Sequence, residues 1–454
     1  MQFELTKEFL EKVELAIDEK DTQFLVETFN EEMYPADIAQ VLYELSNEQC
    51  IYLVSLLDAD QAAEAISHVD AETRKSFLKN FDSEKIALFL KFIDSDDAVD
   101  IVNELGIKER EEVIAYIERF DKEKAAHILE LLRYDEGTAG AIMANELIKA
   151  NINWSIKQCI EELRKQSEQS KGKASSVYVV DDEDKLLGRL SLKKMIIAND
   201  ITLVKDIYDD DVFMVESYLS TDEVVDIMEK YDLVAIPVVN IQKRLVGRIT
   251  IDDVVDIIQE RAERDRQAMT GISADIEEDD SIWKLSKARL PWLLIGICGG
   301  LVGAKFIGLF EAQLFLVPAM AFLIPLITAT GGNVGVQSSS IIVQSLANKT
   351  FFADNIGLRF FKVFLVAIVN GLAISLVVFL FVVFLGQGLK LGLVVSLALL
   401  FVTLLASMMG TITPLILDRF GINPAMASGP FITTANDLLG LAVYFATASL
   451  LFHL

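Results

Sequence analysis

The stretch NPAMASGPFITTANDLLGLAVYFATASLL (Asn423–Leu451) decides how this chain must be read. A bilayer-crossing helix needs ~20 predominantly apolar residues, and the run from Ala425 to Leu451 supplies them. Near its middle stands one ionisable side chain, Asp437. A charge at that depth costs roughly 2.5–3.5 kcal/mol on insertion scales. A carboxyl serving only as helix glue would want a cation at matching depth, and no Arg or Lys lies close to it in sequence. The reading that accounts for it is a cation site facing a water-filled path.

A second apolar segment carries the polar company such a site needs. In TATGGNVGVQSSSIIVQ (Thr328–Gln344), Thr330, Asn333, Gln337, Ser340 and Gln344 fall on one helix face. Gly331, Gly332 and Gly335 permit close helix approach. On the fifth segment Thr433, Asp437, Gly440 and Tyr444 share a face. Small and polar residues often do no more than join helices, but beside a midplane Asp the stripe reads as a pathway lined by Asp437, Asn333, Gln337 and Thr433. One carboxylate among amide and hydroxyl oxygens suits a hard cation, and Mg²⁺ in particular keeps several of its waters. Soft metals would want Cys or His, and His453 is the only His in this half. An intramembrane enzyme is disfavoured. A two-Asp protease needs a second membrane carboxylate, Asp354 and Asp418 read as loop residues, and there is neither HExxH nor a Ser/His pair.

Composition extends this division to the whole chain. Of 454 residues 52% are hydrophobic, yet the net charge is −27. Residues 290–454 hold four acids and six bases, which leaves 64 acids and 35 bases before them, a net of −29. An acidic water-soluble half is thus joined to an almost uncharged apolar half. So acidic a balance excludes a nucleic-acid binder, which needs clustered Lys and Arg. Cys50, Cys159 and Cys298 form no CxxC and fit a reducing compartment. Five spans are expected: Leu290–Leu309, Leu314–Leu346, Phe360–Leu385, Leu391–Leu417 and Ala425–Leu451. Lys284, Lys287 and Arg289 precede the first, Lys349, Arg359 and Lys362 separate the second from the third, and Arg419 separates the last two. The opposite side receives Lys390 and Lys305. The positive-inside rule puts the N-terminus in the cytoplasm and the C-terminus outside. The opening MQFELTKEFLEK has no charged-then-apolar leader, in keeping with a cytoplasmic soluble half.

Within that half, Val177–Ser191 (VYVVDDEDKLLGRLS) aligns with Ile236–Thr250 (IPVVNIQKRLVGRIT) at an offset of 59 residues. The unit is strand, turn, strand, helix, repeated. It resembles a CBS-domain pair, at 134–200 and 201–260, and such pairs often hold adenine nucleotides through a Thr/Ser-x-x-Asp after the second strand. Thr250 to Asp253 fits that pattern and makes ATP a candidate ligand, whereas Ser191 to Lys194 departs from it. Residues 1–133 read as short amphipathic helices with caps at irregular intervals, stacked into a small superhelical domain. His68 and His127 there read as packing or surface residues. Residues 261–289 read as a connecting helix. The many acids solvate the surface, and they also repel one another in a way that bridging divalent cations would relieve.

The order of these parts, with YDEGTAGAIM (Tyr134–Met143), TGGNVGVQSSS (Thr330–Ser340) and NPAMASGPFITTANDLLG (Asn423–Gly440), resembles the MgtE family of magnesium channels and transporters over essentially the whole chain. The resemblance implies a multidomain membrane protein: an all-α superhelical N-terminal domain, an α/β CBS-domain pair, a connecting or plug helix, and a five-helix transmembrane domain at 290–454. It implies a homodimer in a bacterial inner membrane with its pore between subunits and Asp437 as the pore carboxylate. It also implies closure by cytoplasmic Mg²⁺ bound among acidic positions: Asp222, Asp232, Asp253 and Asp256 match those of the second CBS domain, and Asp96, Asp97 and Asp100 are candidates in the helical domain. Arg261, Arg264 and Asn423 depart from the acidic residues of that pattern. Such a protein is not an enzyme. Transport of Co²⁺ or Mn²⁺, Na⁺-coupled efflux of Mg²⁺, and a non-conducting cation sensor are the competing readings.

Overall fold

The computed structural model describes residues 3–169, 176–272, 276, 281–347, 356–427 and 429–453. The chain divides into two compact units, Met1–Ile258 and Gln259–Leu454.

The first unit opens with helices too short to be stable alone in water, and tertiary packing holds them. Their starts correct the expectation of irregular spacing. Helices begin at Pro35, Asn47, Ala59, Ala71, Ser83, Ser95 and Ile107, twelve residues apart each time. The period is written at the junctions. Ser46, Asp58, Asp70, Asp82 and Asp94 stand just before successive helices, each following an apolar residue: Leu45, Leu57, Val69, Phe81 and Ile93. Asp82 accepts from the Lys85 N–H at 2.8 Å and Asp70 from the Thr73 N–H at 3.0 Å, satisfying donors that helix starts leave unpaired. Each helix packs on the one two positions further on. One column runs through Pro35–Glu44, Ala59–Ser67, Ser83–Leu90 and Ile107–Phe120, and the other through Asn47–Leu56, Ala71–Leu78, Ser95–Glu104 and Lys122–Leu131. Two stacked columns make the superhelical domain.

Two three-stranded sheets follow: β1 (Ile148–Asn151), β2 (Val177–Val180) and β3 (Leu186–Leu190), then β4 (Val215–Glu216), β5 (Ala235–Val239) and β6 (Leu245–Thr250). In each, a parallel pair is extended by an antiparallel one. The 59-residue repeat is realised in register. Val177 faces Leu190 as Ile236 faces Ile249, and both copies shift register at the equivalent step, Val179/Val180 and Val238/Val239. The turns agree as well. Asp181 Oδ1 accepts the N–H groups of Glu183 and Lys185, as Asn240 Oδ1 accepts those of Gln242 and Arg244. Asp184 and Lys243 occupy the left-handed region, each at φ 62°. The copies then bond reciprocally, the Leu186 N–H to Lys243 O at 3.0 Å and the Leu245 N–H to Asp184 O at 2.9 Å. This is the pseudo-twofold seam of a CBS pair, closed by Tyr178, Val180, Leu186, Val239 and Leu245.

In the second unit five helices are long and apolar enough to cross a membrane: Ile282–Gly308, Ala319–Ala347, Gly357–Phe384, Leu389–Arg419 and Pro430–Phe452. Several ends differ from expectation. The second span is broken at Val317, which precedes Pro318; proline drives the preceding residue out of the helical region, and a separate turn, Glu311–Leu316, comes before it. The fifth helix starts at Pro430, where a first-turn proline loses no hydrogen bond. Lys284, Lys287 and Arg289 lie within the first helix, and Arg359 and Lys362 in the opening turns of the third, so charge outside the apolar core does not imply a loop. Asp418 is likewise in the last turn of the fourth helix. Lys349 and Asp354 lie outside the described residues.

The repeat sets up an asymmetric test. A methyl added at Gly188 would stand 2.1 Å from the backbone oxygen of Asp209, whereas one at Gly247 would meet the Met143 side chain, its sulfur at 2.5 Å. Gly188→Ala should therefore destabilise the chain by about 1–3 kcal/mol, and Gly247→Ala by less, because methionine can turn away. Denaturant midpoints of the two variants measure the difference.

Candidate functional site

Helix periodicity builds the membrane site. Gly331, Gly332 and Gly335 of the second spanning helix are buried. A Cβ at Gly335 would lie 1.9 Å from Asn436 Nδ2 and one at Gly331 would lie 3.1 Å from Val402 Cγ1, so only glycine lets the second helix come this close to the fourth and fifth. On the adjacent face, Pro325, Thr328, Ala329, Gly332, Asn333, Val336 and Gln337 join Thr433 and Asp437 around one cavity of about 490 Å³, many times the ~30 Å³ share of a single water. All four expected pathway residues, Asp437, Asn333, Gln337 and Thr433, meet there. Asn333 and Gln337 are exposed on the outside of the single chain.

The rest of the expected stripe does other work. The Thr330 hydroxyl donates to Leu326 O at 2.7 Å within its own helix, and Ser340 and Gln344 do not line the cavity. The cavity face is rotated toward Thr328 and Gly332 because the fifth helix sits on that side. Tyr444 is fully buried and donates to Met320 O at 3.1 Å, and Gly440 packs on Ile327. Sequence reasoning passed over Asn436. It is 2% exposed beside Asp437, and its amide atoms have no hydrogen-bond partner among the described residues. Leaving a buried polar group of this kind unpaired costs about 1–3 kcal/mol.

The start of the fifth helix is itself held. In the second unit, the end of the helix Ile251–Thr270 meets it: Asn423 Nδ2 donates to Asp265 Oδ1 at 2.9 Å, and Gly271 lies against Pro430. Asn423 thus makes by its amide the contact that an acid could not make to Asp265. Arg264 bonds back to Glu260 O.

A second constellation lies in the first unit. The helix Ser95–Glu104 carries Asp96, Asp97 and Asp100, and its start is clamped by a buried ion pair. Lys124 Nζ donates to Glu146 Oε1 at 2.8 Å and to Ile93 O at 2.7 Å, while the Ser95 hydroxyl donates to Glu146 Oε2 at 2.8 Å. Burial alone would raise the Glu146 carboxyl, but Lys124 and Ser95 bring it below its ordinary value. Asp96 has no such help. Its carboxyl is pushed well above the usual range by burial and by the charges of Asp253, Asp97, Asp94 and Glu146, and its Oδ1 has no hydrogen-bond partner among the described residues. Asp253 is pushed up to about 6, chiefly by burial, although it accepts from both the N–H and the hydroxyl of Thr250 at 2.9 and 2.8 Å. Thr250 and Asp253 therefore form the cap of the helix Ile251–Thr270. Lys194, at the equivalent place in the first copy, pairs instead with Asp209 at 2.5 Å. Burial and the neighbouring charge of Asp252 also raise Asp256, with His68 acting against them. Asp222 and Asp232 stand at opposite ends of the helix Thr221–Lys230, roughly 15 Å apart along its axis, too far for one ion to bridge. No group of three or more His, Cys, Asp or Glu poised to hold a metal occurs among the described residues.

Apolar helices of spanning length around an open cavity that bears a carboxylate, carried on a chain with a CBS pair, define an integral membrane protein of the ion-transporter class. The comparisons with known proteins narrow this. A family model described as MgtE, divalent cation transporter, matches residues 324–447; MgtE intracellular N domain matches 33–137; and CBS domain matches 139–199 and 204–260. A magnesium transporter MgtE of Thermus thermophilus is 33% identical over 442 residues, covering 96% of this chain and 97% of the relative. One of Enterococcus faecalis is 34% identical over 329 residues, 72% of each chain. The crystal structure of the soluble part of a magnesium transporter matches with a TM-score of 0.51 at 26% identity, over 56% of this chain and 99% of that one. The chain belongs to the MgtE family of divalent cation transporters.

Gly335→Ala should destabilise the membrane unit by about 1–3 kcal/mol through overpacking, read as a lower melting temperature in detergent. Gly332→Ala, whose methyl would lie 3.7 Å from Asp437 Oδ1 and 3.1 Å from Thr433 Cγ2, should fold and narrow the cavity. In the acidic cluster the folded chain holds protons at Asp96 and Asp253 more tightly than the unfolded chain. Their contribution to stability is therefore present at low pH and lost as pH rises, for Asp253 from the unfolded value of ~3.9 through about 6 and for Asp96 through its own raised value. Asp96→Asn should raise the melting temperature relative to wild type at pH 7.5 and not at pH 4.

Proposed function

We propose that this protein carries Mg²⁺ across a bacterial plasma membrane as a homodimer, with N-terminus cytoplasmic and C-terminus outside. The observation that carries the reading is the convergence of Asp437, Thr433, Asn333 and Gln337, from two helices, on one cavity between bilayer-depth segments. All its donors are oxygens of carboxylate, amide or hydroxyl type, the set a hard cation prefers. Because Asn333 and Gln337 face outward from one chain, a second copy set against that face would close the path and pair the two Asp437 side chains. A largely hydrated divalent ion would then pass between them. The membrane potential supplies ~2.3 kcal/mol per charge per 100 mV, doubled for Mg²⁺, so no coupled chemistry is needed. The relatives named as magnesium transporters support Mg²⁺ as the cargo, and no residue is assigned a catalytic role.

Cytoplasmic Mg²⁺ is also the proposed regulator. Asp96 and Asp253, with Asp97, Asp100 and Asp256 around them, would hold it; the oxygen-only donor set and the unpartnered Asp96 Oδ1 fit a cation that keeps its remaining waters. Bound there it neutralises carboxylates that otherwise repel, favouring the compact arrangement. Asp222 and Asp232 would act at a separate site. The helix Ile251–Thr270 and the Asn423–Asp265 hydrogen bond are the route proposed from that cluster to the fifth helix. We further propose ATP as a ligand of the second CBS copy, whose Thr250 and Asp253 have the required types; Lys194 makes the first copy unsuitable.

Flux of Mg²⁺ into proteoliposomes tests the reading. Wild-type flux should fall when Mg²⁺ on the soluble side is raised, and Asp437→Ala should reduce it more than tenfold at every Mg²⁺ level. Unchanged flux in Asp437→Ala removes that carboxylate from the path. Preference for Co²⁺ or Mn²⁺ in competition, or dependence on a Na⁺ gradient, would change the cargo or the coupling. Absence of wild-type flux under all conditions would leave a cation sensor.

A further inference from the structure

Two arginines meet in the seam between the CBS copies, and one of them is buried without a counter-charge. Side chains alternate across a strand, so the ladder pairs decide which of them share the seam. Tyr178 and Val180 of β2 pair with Arg189 and Leu186 of β3, and Pro237 and Val239 of β5 pair with Arg248 and Leu245 of β6. Tyr178, Val180, Leu186, Val239 and Leu245 pack together as the seam, which puts Arg189 and Arg248 on its face. Both charges act on the Tyr178 phenol, against the burial that raises it. Lys149 Nζ crosses from β1 to Leu245 O at 3.4 Å, bringing a further cation to the same place rather than an acid.

The surroundings of the two arginines differ. Arg189 is exposed, and across its outer ladder stands Asp209, whose carboxylate goes to Lys194. Arg248 is 6% exposed. Its N–H donates to Ala144 O at 2.9 Å and its O accepts the Ala144 N–H at 2.8 Å, so its ladder neighbours are Ala144 and Pro237, which carry no charge. Arg248 Nε has no hydrogen-bond partner, and the guanidinium makes no ion pair, among the described residues. A buried charge left alone is costly, and arginine cannot shed its proton to escape the cost. The soluble half holds 64 acids against 35 bases, yet none of those acids is set against Arg248 among the described residues.

The missing charge is therefore one that the chain does not carry. A guanidinium fork takes carboxylate or phosphate oxygens in pairs. A single carboxylate serves one fork, whereas a phosphate, with more oxygens and up to two charges, serves forks that reach in from both copies. We propose that this seam binds a phosphate group, free or carried by a nucleotide, through Arg248 with Arg189 beside it. Bound there, the phosphate ties the first copy to the second. This site is additional to the ATP proposed at Thr250 and Asp253 and does not rest on it, nor on which cation the protein carries.

Thermal unfolding and calorimetric titration of the purified full chain, in a neutral detergent without Mg²⁺ and at constant ionic strength in chloride, test this. Inorganic phosphate should raise the wild-type melting temperature and saturate, and acetate should not. Arg248→Met keeps the length and removes the charge. It should melt above wild type in chloride alone, because the unpaired charge is gone, and should not respond to phosphate. Losing one charge-assisted contact should weaken phosphate binding roughly 10- to 100-fold, as expected for Arg189→Gln. Should Arg248→Met not fold, Arg248→Lys decides: it keeps the charge and loses the fork, and an unchanged phosphate affinity there overturns the site. ATP identifies the source. Binding of ATP more than tenfold tighter than that of phosphate, and lost in Arg248→Met, supports a nucleotide's phosphate; equal binding supports free phosphate. No response of wild type to phosphate or ATP overturns the proposal, as does a response that Arg248→Met retains. ATP binding kept in Arg248→Met and lost in Thr250→Val overturns it too, and leaves the nucleotide at Thr250 and Asp253.

Discussion

A carboxylate held at bilayer depth constrains the whole membrane unit. Asp437 is tolerable there only if polar groups and water reach it, and Thr433, Asn333 and Gln337 around the cavity provide the polar surface. That arrangement in turn requires the second and fifth helices to approach more closely than ordinary side chains allow. Glycine at 331, 332 and 335 meets the requirement. The packing that results is tight on one face and open on the next, and the open face is the one that bears the amides. Lipid gives no hydrophobic drive for helices to associate, so close backbone approach must supply much of the attraction. The glycines that make the site possible are therefore also what joins its walls.

The soluble unit stores the opposite kind of constraint. A buried, well-bonded ion pair, Lys124 with Glu146, clamps the start of the helix Ser95–Glu104. Through that clamp Asp96 is held near Asp253 without a counter-charge of its own. Ion pairs of this kind contribute little net stability but are costly to break by halves. Here the pair fixes geometry, and the geometry keeps like charges together. A ligand that neutralised such a cluster would shift an equilibrium only by its differential affinity for the two states.

Much of this was legible along the chain. The 59-residue repeat carried its own turn chemistry, with Asp181 and Asn240 as acceptors and Asp184 and Lys243 left-handed, because a turn is decided by a few adjacent residues. The five spans were legible because hydropathy over twenty residues needs no knowledge of neighbours. The twelve-residue period of the helical domain was equally local, in Ser46, Asp58, Asp70, Asp82 and Asp94, each after an apolar residue. Apolar spacing within each helix does not carry that period, because the signal lies at the junctions between helices.

What the sequence by itself determined, then, is whatever depends on local turns, caps, repeats and apolar length, together with the identity of Asp437 as a charge that must be explained. Only the tertiary structure decided which face of each helix met which neighbour. Thr330 and Thr328 are two residues apart, and the position of the fifth helix alone makes Thr328 the one that lines the cavity. Tyr444 shares a helix face with Asp437 by period and is nonetheless buried, its hydroxyl given to Met320 O. Asp96 and Asp253 are more than 150 residues apart, and their mutual repulsion exists only once the helical columns and the second CBS copy have packed. Helical period fixes angles within one element; contacts between elements depend on side-chain volumes summed over many residues, which no short motif records.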